Sequence, residues 1–468
     1  MLTYDMETRG SLPLYEYLYR CIRSDILSGV LPEGARLPSK RALAEHLQIS
    51  VITVEGAYAQ LEAEGYLLAQ PRRGFFVAAV EHSPSSERAS VSCPETHPVP
   101  WKLDLSRNQA DASRFPTSTW AKLTRQVLTE SNDTLFSPIQ HQGLFALRQA
   151  IADDLRNYKG MSVSPAQIIV GAGAEYLYLL LPQLLGRDAV FALEDPGYPK
   201  IRQVYEACGV SCRSIPLDQQ GISLSALANS DATVVHLSPS HHYPTGLVTP
   251  IGRRQSLLRW AEKHDGYIIE DDYDSEFRFA GRPIPTLQSI DQTGRVIYLN
   301  TFSQTIAPSM RVGFMVLPPP LLERYRANLD FYACTVPALE QHVLARFLQG
   351  GHYEQHLSRM RKEYRFRRAA VMDAFRSGSF SGRVTFSEEG AGLHFLLKID
   401  TQESDDALRH RAEALGMKLA FLSDFSAAPN PDYDHTLVVN YAGLSSQRLA
   451  EAVALLEKLL ASSQGGSY

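Results

Sequence analysis

The chain has 468 residues, with 44% hydrophobic and 21% charged residues, which is the composition of a soluble globular protein and excludes a disordered or fibrous one. This length exceeds what one ordinary hydrophobic core supports, so we expect two domains. The formal net charge of -5 gives no general reason to expect a nucleic acid or a membrane as partner.

Cysteine usage and the first residues predict a cytoplasmic protein. The five cysteines are odd in number and form no CxxC pair, so we expect neither a disulfide framework nor a metal site. Met1 is followed by Asp5 and Glu7 rather than by a basic segment and an apolar run, so no signal peptide is expected. No apolar stretch is long enough to span a bilayer, which predicts that the protein has no membrane partner.

Residues 1–78 are predicted to form three helices and a hairpin. The first and third helices each carry an apolar stripe at helical spacing: Leu14, Leu18, Ile22 and Ile26, and then Val54, Ala57, Tyr58 and Leu61. Ser39 and Ser50 are good N-caps for the second and third helices. Short apolar runs at 66–68 and 75–77 read as two strands. Two helices joined by a tight turn and followed by a β-wing form a winged helix-turn-helix.

A compositional break follows at residues 79–100. This stretch is rich in Ser and Pro and poor in large apolar residues. Such a segment buries too little surface to offset its ordering entropy, which predicts a linker. It would separate the small domain from a large one at residues 101–468.

The large part alternates helices with short, continuous apolar runs. The strand-like runs lie at 167–170, 189–193, 233–237, 267–270 and 296–299. Runs of this kind, each followed by polar or Gly/Pro residues, predict an α/β domain with a mostly parallel sheet, helices on both faces and binding residues at the strand ends. The last hundred residues mix helices and strands, which predicts a small C-terminal α+β subdomain.

The N-terminal sequence closely resembles the GntR-type winged helix, in the runs 34–44 and 50–58, Gly65 and the wing at 72–74. Residues 1–77 hold eight Lys/Arg against nine Asp/Glu, so the case for DNA binding is local rather than global. Val51 stands where the family usually has an arginine. The resemblance and the local charge place DNA contacts at Arg36, Ser39, Lys40, Arg41, Ser50, Thr53, Arg72, Arg73 and Gly74. The alternative is a winged helix that contacts protein.

Five separated motifs of the large domain resemble the fold type I aminotransferases, which use pyridoxal phosphate (PLP). They lie at 171–175, 195–198, 239–246, 270–277 and 301–314, and each alone is weak evidence. The resemblance implies cofactor contacts at Ala174, Glu175, Tyr198, His241, Asp271, Tyr273, Thr301, Ser303, Gln304 and Arg311. By resemblance, Asp271 faces the pyridine nitrogen, while Thr301, Ser303 and Arg311 hold the phosphate. His241 is preferred over His242 as a neighbour of the ring.

Gln304 stands where the family has the lysine that forms a Schiff base with the cofactor. An amide nitrogen is neither a usable nucleophile nor a base, so no transaminase turnover is expected and no residue is assigned as catalytic. PLP would then bind non-covalently or arrive as an external aldimine with an amine. Two origins of Gln304 stay open, a natural loss of the lysine or a laboratory substitution. The rival hypothesis is a working aminotransferase with an appended DNA-binding domain.

A second departure is the run 437–444, where relatives that handle amino acids usually carry an arginine for the substrate carboxylate and this chain has none. The order of a GntR winged helix, a linker and an aminotransferase-like domain resembles the MocR/GabR-type transcriptional regulators. The resemblance implies a homodimer with exchanged domains, a double-stranded DNA operator, and a small amine or amino acid, or PLP itself, as effector.

Overall fold

The computed structural model describes residues 2–80, 101–108, 110–130, 133–279, 284–387 and 392–461. The chain forms two compact units, Met1–Pro98 and Val99–Tyr468. Of the predicted linker, only residues 79 and 80 fall within the described ranges, so residues 81–100 lie outside them. The predicted boundaries at 78 and 101 stay predictions.

The first unit has three helices and a two-stranded antiparallel hairpin. Their bounds are α1 Leu14–Leu27, α2 Lys40–Leu47, α3 Val51–Ala63, β1 Leu67–Gln70 and β2 Gly74–Val77. The side chains of Ser39 and Ser50 accept hydrogen bonds from Ala42 N and Thr53 N, which caps α2 and α3 as predicted. Apart from Leu14, both predicted apolar stripes converge on one core, where their side chains are fully buried. The winged helix-turn-helix is therefore confirmed.

The centre of the second unit is an eight-stranded sheet with the order β4-β11-β10-β9-β8-β5-β6-β7. Its strands are β4 Ile168–Gly171, β5 Val190–Asp195, β6 Ser211–Asp218, β7 Gly221–Ile222, β8 Val234–Leu237, β9 Tyr267–Asp271, β10 Val296–Thr301 and β11 Gly313–Val316. Strands β6, β5, β8, β9 and β10 run parallel, whereas β11 and β7 are antiparallel to their neighbours. The mostly parallel sheet and its five predicted runs are confirmed.

Helices connect and cover these strands. They are α4 Thr117–Glu130, α5 Phe145–Asp154, α6 Ala174–Leu185, α7 Pro199–Ala207, α8 Leu224–Ala228, α9 Ile251–Lys263, α10 Leu287–Ile290, α11 Pro319–Asn328, α12 Ala338–Gln349 and α13 His352–Ser377. Three apolar clusters of buried residues surround the sheet. Because parallel strands end at a common edge, the residues that follow β5, β8, β9 and β10 meet there.

The last part of the chain is the predicted small α+β subdomain. An antiparallel sheet with the order β12-β13-β15 packs against the end of α13 and the last helix. The elements are β12 Val384–Ser387, β13 His394–Ile399, α14 Asp405–Ala414, β15 Thr436–Asn440 and α15 Ser446–Ala461, beside a two-stranded pair of β3 Leu103–Asp104 and β14 Met417–Lys418. Across the described ranges, every helix is too short or too polar to cross a membrane.

Candidate functional site

A cavity of about 610 Å³ opens at the carboxyl-terminal edge of the large sheet. The ends of four strands contribute to its wall, through Asp195 of β5, Ser238 after β8, Asp271 of β9 and Thr301 of β10. All predicted cofactor residues except His241 line it: Ala174, Glu175, Tyr198, Asp271, Tyr273, Thr301, Ser303, Gln304 and Arg311. The structure thus brings together in one place side chains that are up to 137 positions apart (311 minus 174).

Asp271 at the end of β9 is 6% exposed, and its carboxylate contacts two buried side chains of the surrounding wall. Its Oδ2 accepts a hydrogen bond from the Tyr178 hydroxyl on α6, and His236 Nε2 lies 3.4 Å away. Burial, together with the charge of Asp271, raises the pKa of Tyr178 well above its usual value, so this phenol stays protonated and donates. The far side of the His236 ring contacts the Tyr205 hydroxyl at 2.8 Å. These contacts fix the direction of one buried carboxylate at the cavity wall.

Two cationic side chains, Arg311 and Lys200, also line this cavity. Arg311 has a positive φ of 51° and lies against Gly173, where an added Cβ would come within 2.8 Å of the guanidinium. The guanidinium contacts the Ala172 carbonyl and the Glu175 carboxylate, and Lys200 Nζ lies 3.2 Å from the same carboxylate. Desolvation opposes ionisation of Glu175, but the hydrogen bonds from Arg311, its own backbone and Lys200 outweigh it and lower the pKa of Glu175 to about 2. The Glu175 carboxylate is therefore the anion that Arg311 and Lys200 hold in the absence of a ligand.

Gln304 lines the same cavity, and only one half of its amide group has a hydrogen-bond partner. Its Nε2 donates to the Asn108 carbonyl at 2.9 Å. Its Oε1 is buried and has no hydrogen-bond partner among the described residues. A buried acceptor without a donor is costly, typically about 1–3 kcal/mol, and a ligand that carries an N–H would satisfy it.

An aromatic wall closes one side of the cavity. Tyr243 makes edge-to-face contacts with Tyr198 at 6.1 Å, Tyr273 at 6.3 Å and Phe425 at 5.3 Å. Burial raises the pKa of Tyr273 well above its usual value. Aromatic faces and edges of this kind suit a flat, conjugated ring.

The structure differs from the prediction for His241. The loop after β8 turns so that His242 and Tyr243 face the main cavity. His241 instead lines a separate cavity of about 200 Å³, where its Nδ1 lies 2.9 Å from Asp274 and 3.2 Å from the Tyr273 hydroxyl. His241 thus does not line the main cavity but contacts Tyr273, which does, and its role as a neighbour of the cofactor stays a prediction.

The sequence analysis also overlooked a buried pair in the cavity wall, Glu194 and His242. Burial raises the pKa of Glu194 to about 8 even though the backbone N–H of Ser238 donates to its carboxylate at 2.9 Å. Burial and the neighbouring His241 lower the pKa of His242 to about 3. Both shifts favour the neutral forms, and His242 Nε2 lies 3.4 Å from Glu194 Oε2. A carboxylate at the end of an apolar run, directly before Asp195, was the available signal.

In the first unit, the predicted DNA-contacting residues lie at or just before the N-terminal ends of α2 and α3 and in the turn of the wing. Arg36, Arg41, Arg72 and Arg73 are exposed, and Arg72 has a positive φ of 64° in the wing turn. Lys40 differs, because its Nζ lies 2.6 Å from Glu55 and 5.4 Å from the Phe75 ring centroid. Its charge is thus partly neutralised within the domain.

In the described part of the chain, no group of three or more His, Cys, Asp or Glu side chains is arranged to hold a metal ion.

Two family profiles match the chain. The profile described as aminotransferase class I and II matches residues 100–453, and the profile described as bacterial regulatory proteins, gntR family, matches residues 14–77. The fold of the large unit is similar to that of Pyrococcus horikoshii kynurenine aminotransferase, with a TM-score of 0.68, 24% identity, and coverage of 77% of this chain and 91% of that chain.

Full-length relatives are regulators by name. The HTH-type transcriptional regulator YdeL of Bacillus subtilis is 36% identical, over 95% of this chain and 96% of YdeL. The pyridoxine biosynthesis transcriptional regulator PdxR of Corynebacterium glutamicum is 33% identical over 88% of each chain. The probable rhizopine catabolism regulatory protein MocR of Rhizobium meliloti is 30% identical, over 97% of this chain and 94% of that one. The chain therefore belongs to the MocR/GabR-type subfamily of GntR transcriptional regulators, which are DNA-binding proteins with an aminotransferase-like domain.

Proposed function

We propose that the large domain is a sensor that binds PLP without a covalent bond and reports PLP, or PLP together with a small amine, to the DNA-binding domain. The observation that carries this proposal is that one cavity is lined by the Arg311 guanidinium, by an oriented buried carboxylate at Asp271 and by the amide of Gln304.

The residues present fit the cofactor. The guanidinium of Arg311 and the hydroxyls of Thr301 and Ser303 would hold the phosphate, at the end of the cavity that already holds a carboxylate. The Asp271 carboxylate, fixed by Tyr178, would hold a protonated pyridine nitrogen. Tyr198 and Tyr243 would bound the ring. When bound, PLP supplies an aldehyde that condenses with primary amines and a ring that withdraws electrons.

Gln304 gives the site a recognition group in place of a reactive one. Its buried Oε1 is an acceptor without a donor among the described residues, which suits the amino group of an effector, and its Nε2 donates to the Asn108 carbonyl. The carboxamide neither gains nor loses a proton near pH 7, so it cannot relay one between substrate atoms. For this reason we propose that the domain recognises its ligand without turning it over.

Regulation requires that the ligand prefer one arrangement of the protein and that DNA affinity report this preference. We propose a homodimer in which each winged helix is carried by the partner's large domain, with the segment at 79–100 as the connection. The amine or amino-acid effector acts in this scheme by biasing one arrangement.

Calorimetric titration with PLP, with and without candidate amines, tests the proposal. We expect the protein to bind PLP reversibly and to leave no adduct on the protein after borohydride treatment. Arg311→Gln should weaken binding strongly. Arg213→Gln removes an exposed arginine that does not line the cavity and that pairs with Asp231 at a distance of 2.8 Å. This change should leave binding unchanged. Absence of PLP binding, or steady transamination with any amino donor, would refute the proposal.

A further inference from the structure

The first turn of α3 exposes two branched aliphatic side chains. Ile52 is 80% exposed and Val51 is 42% exposed. Neither belongs to the core of the first unit, which α3 contacts through Val54, Ala57, Tyr58 and Leu61. Apolar surface of this kind gains free energy when a partner removes it from water. Because the two side chains lie outside the core, packing within the domain does not explain why they are apolar. We therefore expect their role to lie in a contact with a partner molecule.

The position of the pair indicates what that partner is. Helix α3 is the second helix of the helix-turn-helix, and in this motif the N-terminal residues of the second helix contact base edges in the major groove. Exposed arginines lie on the neighbouring elements, Arg36 before α2, Arg41 within it and Arg73 in the wing, and supply attraction to phosphates that does not depend on sequence. The apolar pair is therefore on the face that the family presents to DNA.

The same turn has few side-chain hydrogen-bond donors or acceptors that are available to contact base edges. The hydroxyls of Ser50 and Thr53 lie 2.8 Å apart and hydrogen-bond to each other, and Ser50 also caps the helix. One turn further on, the Glu55 carboxylate pairs with Lys40. The first turn thus presents methyl groups rather than free donors or acceptors. In the major groove, thymine is the unmodified base that presents a methyl group.

We infer that Val51 and Ile52 read the 5-methyl groups of thymine, so that each operator half-site carries thymine at the base pairs facing the start of α3. The expected discrimination is modest for each contact. Burial of one methyl group corresponds to about 0.8 kcal/mol, which is a change of about four-fold in affinity. Two such contacts in each half-site of a dimer give a cumulative preference for T·A pairs.

The test begins with selection of operators from a random duplex library by the full-length protein, with and without PLP. Each thymine of the selected site is then replaced by deoxyuridine, which removes only the methyl group. We expect one or two positions in each half-site to lose about four-fold in affinity on this replacement. In Ile52→Ala, the sensitivity to the methyl group at its position should disappear while the phosphate contacts remain.

Two controls keep the result interpretable. Val30→Ala removes an exposed valine, 68% exposed, from the turn after α1 and should leave both affinity and methyl sensitivity unchanged. Thermal unfolding of the Ile52→Ala protein should match that of the unsubstituted protein, since the side chain lies outside the core. Selected sites without a common thymine, full methyl sensitivity in Ile52→Ala, or loss of dimerisation with unchanged DNA affinity would overturn the inference. The last result would assign the pair to a protein contact.

Discussion

Replacing Glu175 by glutamine removes the anion that occupies the positive end of the cavity, and we expect ligands with a phosphate group to bind more tightly as a result. A phosphate that reaches Arg311 must displace the Glu175 carboxylate from both Arg311 and Lys200. The displaced carboxylate then stays close to the phosphate and repels it. Glutamine keeps the shape of the side chain and loses both effects.

The magnitude follows from how exposed these groups are. The side chains of Arg311, Lys200 and Glu175 are 50%, 47% and 32% exposed, so each ion pair is worth only about 0.5 kcal/mol. Two pairs give about 1 kcal/mol. Repulsion between the carboxylate and a phosphate at similar exposure adds about 1 kcal/mol at most. The sum predicts that affinity for PLP rises about 5- to 30-fold, since about 1.4 kcal/mol is a factor of ten.

The charge of Glu175 should not change around neutrality, so a pH dependence in that range comes from the phosphate of the ligand, whose second pKa is about 6. The pKa of Glu175 is lowered to about 2, so the group is ionised from pH 5 upward, and its stabilising contribution is lost only as the pH falls from its ordinary value of 4.5 through 2. Calorimetric titration of inorganic phosphate and of PLP at pH 6 and pH 8 measures this.

Asp231→Asn is the matched control, because it removes an exposed carboxylate paired with Arg213 at 2.8 Å, and neither side chain lines the cavity. Equal or weaker binding of PLP by Glu175→Gln would refute the reasoning and would make Glu175 a supporting residue.

Three further predictions concern buried groups. Gln304→Lys should form a covalent bond with PLP that borohydride fixes and mass spectrometry detects, whereas the unsubstituted protein should not. Lys159→Met leaves Asp272 and Glu276 without the ammonium that lies 2.9 and 3.0 Å from their oxygens, and should cost about 3–5 kcal/mol in urea unfolding. Glu194 binds its proton more tightly in the folded chain, with a pKa of about 8 against 4.5, so stability should fall as the pH rises from 4.5 to 8; Glu194→Gln should flatten this dependence, which unfolding at several pH values measures.

The fold could be predicted because its signals are local. Continuous apolar runs such as 267–270 become buried parallel strands, and the polar residue after each run, such as Asp271, falls at the common edge of the sheet. The winged helix was predictable for the same reason, since Ser39 and Ser50 cap helices within their own segments.

What sequence could not give depends on contacts between distant segments. The order of His241, His242 and Tyr243 is plain, but loops have no period, and only hydrogen bonds such as Gly246 N to the His242 carbonyl at 2.7 Å decide which side chain faces the cavity. Tyr178 lies on a helix that is apolar almost all round, so nothing in its spacing pointed to Asp271. Likewise, the ion pair between Lys40 and Glu55, fifteen residues away, could not be read from either segment alone, and the DNA contact of Lys40 stays a prediction.

The core of the first unit is complete within residues 2–80, whereas the cavity of the second needs groups from Asn108 through Ala427. During synthesis on the ribosome, the DNA-binding domain can therefore fold long before the residues that form the cavity have been made. A nonsense mutation between these limits would end translation early and yield a DNA-binding domain without a complete cavity. Such a fragment would keep the DNA-contacting residues and lack the cavity, so we expect it to contact DNA without any response to a ligand of the large domain.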